Sequence, residues 1–171
     1  ALSVVTQTAH ADIAWQVERF DTGATMVMQT RGATMTHVKR GTQGALHMFD
    51  VYAGHGTGAY LGSYTTNARG EVVETQAQNG AVIRYQPHRC TRTLGTCQFT
   101  MIHADGFSEP RARVTKATAQ GFQFQEFGLD GLISEGEMTL DVHGAATAGW
   151  TKSALDGAPK TRTRRVTITL N

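Results

Sequence analysis

Two cysteines, Cys90 and Cys97, carry the clearest chemistry in the chain, and only six residues separate them. A structural zinc site takes four ligands, and two thiols do not make one. An even, closely spaced pair reads as a disulfide. Residues facing each other across the mouth of a hairpin have Cα atoms about 4.5 to 5.5 Å apart, within disulfide reach. Closing an eight-residue loop in this way is worth about 2.5 kcal/mol, and the bond favours an oxidising compartment. His47, Asp50 and His55 resemble metal ligands only as a list. On a strand His47 and His55 share a face about 26 Å apart while Asp50 points away, so no metal site is expected. Leu61-Gly62-Ser63-Tyr64 brushes past the Gly-x-Ser-x-Gly elbow without forming it. Cys90 beside His88 would be an activated thiolate only if Cys97 left it free. Glu74 is a single carboxylate where glycoside chemistry needs two. The expectation is a protein with no catalytic residue, metal or cofactor.

Other residue types suit binding. Tyr52, Tyr60 and Tyr64 form the densest aromatic stretch, around the glycines of residues 54–62. They would line the mouth of a cavity for an apolar ligand, or serve as ordinary core. If Asn79-Gly80 forms a two-residue turn, Glu74 stands opposite Tyr85. If Cys90 pairs directly with Cys97 in a ladder, Tyr85 stands opposite Ile102. The face so built, with Glu74, Gln76, Ile83, Tyr85, Ile102 and Ala104, is mixed: either a semi-polar cavity or an outer face in water. Arg84, His88, Arg89 and Arg92 gather charge at the disulfide tip, and residues 61–120 hold seven Lys/Arg against four Asp/Glu. Such a tip would contact an anionic surface, or simply be solvated. No nucleic-acid motif accompanies it, and nucleic acid is not an expected partner.

These residues must be positioned by strands. The chain has 171 residues, a length suited to one domain over its whole span, with 18% charged residues, a net charge of +2, 19 Gly and 25 Thr. Turn signals recur about every dozen residues, and apolar residues alternate between them at the strand period. Residues 132–142 and the end of the chain alternate most plainly, with Val166, Ile168 and Leu170 on one face and Thr163, Arg165, Thr167 and Thr169 on the other. Residues 11–20 are ambiguous, because Ile13, Val17 and Phe20 also share a helical face. The fold predicted is all-β: an up-and-down antiparallel meander of about 10–13 strands, curled into a barrel or curved half-barrel, with room for one short N-terminal helix.

No stretch approaches the roughly 18 apolar residues of a spanning helix. An outer-membrane barrel of eight strands would fit the length, but aromatics are only 8% and no succession of strands offers an uninterrupted apolar side. The chain starts Ala1-Leu2-Ser3, which reads as the product of signal-peptide removal. The functional expectation is therefore a periplasmic or otherwise exported, non-enzymatic protein of the cell envelope that binds a lipid or another apolar or amphiphilic molecule. A structural or assembly factor, offering a sheet edge or the basic tip to another envelope protein, is the alternative, and an enzyme of unknown reaction the third reading.

Overall fold

The computed structural model describes residues 13–170. The reading of Ala1-Leu2-Ser3, the first two residues of the 11–20 segment and Asn171 lie outside them. Twelve strands follow one another: β1 (Thr25–Thr30), β2 (Ala33–Gln43), β3 (Leu46–Ala53), β4 (Tyr60–Thr66), β5 (Val72–Ala77), β6 (Val82–Gln86), β7 (Gly95–His103), β8 (Ser108–Ala117), β9 (Gly121–Gly128), β10 (Gly131–Leu140), β11 (Ala146–Ser153) and β12 (Thr161–Thr169). Each pairs antiparallel with its neighbour in sequence, and β12 returns to pair with β1, closing the barrel. The possible N-terminal helix is reduced to one 3-10 turn, Val17–Arg19.

Twelve strands at about 4.8 Å each make a ring roughly 18 to 24 Å across, wider than strand side chains alone can fill. The chain fills one end with its own N-terminal segment. Ile13, Trp15, Val17 and Phe20 are all buried, and the Trp15 N–H donates to Arg69 O (3.0 Å) while the Gln16 N–H donates to His143 O (2.9 Å). Trp15 stacks on Phe49 at 5.2 Å, Phe49 stacks on Tyr64 at 5.0 Å, and Phe20 meets Trp15 edge-on at 5.1 Å. Gly70 lies against this plug with φ +78°, and a Cβ there would meet the Trp15 Cβ at 2.5 Å.

Three details differ from the sequence reading. Glu74 pairs with Arg84 rather than Tyr85. The hairpin closes through three residues, with the Ala77 N–H on Ala81 O (2.9 Å), Gly80 left-handed and Asn79 Oδ1 accepting the Ala81 N–H. Tyr85 stands opposite Met101 rather than Ile102, because Cys90 lies beyond the end of β6 at φ +62° and takes no part in the ladder. Near the C-terminus a register shift sets Thr167 against Val27 but Arg165 against Met28, leaving Val166 between them. Ile168 packs on the plug while Val166 and Leu170 are exposed, so the three apolar residues do not share a buried face.

Candidate functional site

Cross-strand partners share a face. Lys39, Phe49 and Tyr64 are successive partners and mark the inward rows, which then carry His37 and Met35 on β2, Val51 on β3, Met101 and His103 on β7, and Glu109, Arg111 and Arg113 on β8. Burial along these rows is graded. Next to the plug Met26, Lys39, Phe49, Thr66, Arg113 and Phe122 are buried; toward the opposite end Thr30, Met35, Val51, His103 and Arg111 are only partly so. The barrel is a cup, dry at its base and wet at its mouth.

One wall of the cup is ionic. His103 Nε2 lies 3.0 Å from Glu109 Oε1, and Arg111 donates to Glu109 Oε2 (2.8 Å) and to Glu126 Oε1 (3.2 Å). Arg113, 6% exposed, donates to Glu126 Oε2 (3.1 Å) and covers the Phe124 ring at 3.7 Å, and Arg89 reaches Glu126 at 3.8 Å. Three guanidiniums thus converge on Glu126, itself 2% exposed. Among the described residues Arg89 Nε and Arg113 Nε, both buried donors, meet no acceptor. Burial lowers the Arg113 pKa to about 10 against the pull of Glu126. Glu109 is held below the usual carboxylate range by the bonds from Arg111 and His103.

Six strands away in a twelve-strand ring is the far side, so β2 and β3 face β8 and β9. There the wall is mainly apolar, with Met35 and Val51, and His37 Nδ1 lies 2.9 Å from the Tyr64 hydroxyl. Burial pushes His37 down to about 4 and the Tyr64 phenol well above its ordinary range. Both side chains are therefore neutral at pH 7.

The base is tied by two further ionic groups. Glu71, fully buried, accepts from the Arg92 N–H (2.9 Å), Thr91 Oγ1 (3.3 Å) and Thr93 Oγ1 (2.6 Å), fixing the loop that the Cys90–Cys97 disulfide closes. Arg92 sends its guanidinium to Ile13 O (3.2 Å) and Gly144 O (2.5 Å), pinning the plug. Lys39, 1% exposed, donates to Val17 O (3.3 Å) and lies 2.6 Å from His47 Nδ1. Desolvation lowers both Lys39 and His47, and Lys39 lowers His47 further.

The sequence-derived candidates are therefore scattered. Tyr64 faces the lumen, and Tyr85 does so near the base, packed on Phe99 at 6.0 Å. Tyr52 and Tyr60 meet edge-on at 6.0 Å on the outer face, as do Glu74 and Arg84, which form an ion pair at 3.3 Å. Of the basic tip, Arg84 stands in solvent on the outer face, while the other three residues turn inward. Arg92 is 9% exposed, Arg89 turns to Glu126, and His88 lies 3.4 Å from Glu71, because these buried carboxylates draw the loop inward. His88, Cys90 and Cys97 are close enough together for a metal, but both sulfurs are spent on the disulfide. Comparison with family models, curated proteins and solved structures finds no match to this chain. The alternation of Glu109, Arg111 and Arg113 was the available signal for the ionic wall, which spacing toward the cysteines alone did not reveal.

Proposed function

We propose that this protein is an exported, non-enzymatic binding module that holds an amphiphile with an anionic head in the wet half of its barrel. The observation that carries the reading is the graded burial of the inward rows, from the sealed base to the open mouth. Barrel mouths are common ligand sites. The head group, a carboxylate or phosphate, meets Arg111 and the surplus cationic charge around Glu126, and the apolar part lies along Met35 and Val51. The disulfide supports export. Asp50, Lys116, Gln123 and Glu135 stand on the outward rows, where a lipid-facing barrel would need apolar side chains. Among the described residues no helix is long and apolar enough to cross a membrane. For the alternative role in assembly, β1 and β12 pair with each other at the sheet edges, and of the basic tip Arg84 and part of Arg89 remain exposed to a partner.

The test is native mass spectrometry and organic extraction of the purified protein, followed by titration with a fluorescent long-chain carboxylate. A retained amphiphile, and probe binding weakened at least tenfold by Arg111→Met and by Val51→Trp, is the expected result. A protein that carries no ligand and leaves the probe unbound refutes the reading.

A further inference from the structure

Outside the lumen, the surface over β8 to β12 and β1 is hollowed into two adjoining grooves of about 680 and 310 Å³, and both are lined by Trp150. A Cβ on Gly136 would meet Trp150 O at 2.5 Å and the Phe124 ring at 2.6 Å, and one on Gly149 would meet Glu137 O at 2.6 Å, so only glycine fits these inward positions. The register sets Gln123, Glu137, Trp150 and Arg162 in one row across four strands. From β8 to β1 the hollow crosses five strand spacings, about 24 Å.

The larger groove holds uncompensated charge. Among the described residues neither Arg31 nor Arg162 has a carboxylate within ion-pair distance, and Arg164 donates only to the Gln29 amide (2.8 Å). Lys160 lies 4.0 Å above the Trp150 ring. Against these four cations stands Glu137, which accepts from the Gln123 amide at 3.2 Å. In the smaller groove Lys116 continues the row beyond Gln123, and Gln125 with Glu135 forms the neighbouring row. Excess positive charge selects an anionic partner. The Glu135 and Glu137 carboxylates, in adjacent rows, disfavour a phosphate backbone, whereas they and the Gln123 and Gln125 amides suit hydroxyl groups, which both donate and accept. Lys160 covers one face of Trp150, leaving it unable to sandwich between stacked bases.

We propose that this outer groove binds a segment of acidic polysaccharide. Sugar carboxylates meet Arg31, Arg162 and Arg164, ring hydroxyls bond to Gln123, Gln125 and Glu137, and a pyranose face packs against Trp150. The site is separate from the lumen and does not depend on what the lumen holds.

The experiment is calorimetric titration of the intact protein with a linear oligogalacturonate, a neutral maltooligosaccharide of equal length, and oligo-dT. The uronate oligomer is expected to bind, with affinity falling as salt rises, and the neutral oligomer to bind at least tenfold more weakly. Trp150→Ala and the double change Arg162→Gln/Arg164→Gln should each weaken uronate binding at least tenfold. The double variant, altered only on the exposed face, should keep the wild-type unfolding midpoint and lumen-probe affinity. The proposal is overturned if the uronate does not bind at low salt, if the neutral oligomer binds as well, if oligo-dT binds more tightly, or if the arginine pair can be removed without effect.

Discussion

Acidification provides a direct way to interrogate the lumen, through His37. Burial lowers its pKa from 6.5 to about 4 in the folded protein. The unfolded chain therefore takes up a proton first as the pH falls, and the unfolded state gains in stability relative to the folded one. The sign follows: this contribution is fully present above pH 6.5 and is lost as the pH falls toward 4. With those two values, linkage gives a loss of about 2 kcal/mol between pH 7 and pH 5, rising to about 3 kcal/mol at pH 4. His47, also lowered, adds to the acid sensitivity in the same direction. The contribution of His37 is isolated by comparison with His37→Asn, which keeps a polar atom near the position of Nδ1 beside Tyr64 but does not titrate. Urea unfolding of both proteins at half-unit steps from pH 7 to pH 4 gives the two profiles. The variant has a lower plateau, having lost ring packing, and a shallower slope, by about 3 kcal/mol over the interval. Parallel profiles, or a His37 resonance titrating near 6.5 in the folded protein, would show that the ring is bathed in bulk water and would refute the reasoning.

Two further outcomes follow from the base of the cup. Glu126→Gln leaves Arg89, Arg111 and Arg113 facing one another in a buried setting and should destabilise the protein by about 3 to 5 kcal/mol in urea at pH 7, with Arg113→Met added to it recovering part of the loss. A loss no larger than that of an exposed ion pair would show that water reaches this network freely. The Cys90–Cys97 bond predicts no reactive thiol in the unfolded, unreduced protein and two after reduction, with a loss of about 2.5 kcal/mol once the bond is open. Two free thiols in the native protein would remove the argument for export.

The strand pattern was legible because turns and alternation are local. Asn79-Gly80 does mark a hairpin, and the closed ring is one of the two forms anticipated. What local pattern left open was which face points inward. In a wide, wet barrel both faces are mixed: Arg111 and Glu109 stand inside, Arg84 and Glu74 outside, and all four are ionic. Single-residue offsets did the remaining damage. The extra residue at Val166 and the placement of Cys90 outside the ladder each shift the face of everything beyond them. The ionic wall depends on partners such as Arg113 with Glu126, and Arg89 with Glu126, that meet only once neighbouring strands and loops are folded together.

Among the described strands every pairing but one joins neighbours in the chain, and that one decides when the barrel closes. The Thr30 and Thr163 hydroxyls meet at 3.0 Å across a sequence separation of 133 residues. The entropy of closing so long a loop grows only logarithmically with length, so the greater burden is delay. Until β12 has been synthesised and delivered, β1 and β11 expose unpaired backbone, the kind of edge on which chains associate. A chain cut before Thr161 would leave those edges permanently open, and its expected fate is aggregation rather than a slightly weakened barrel.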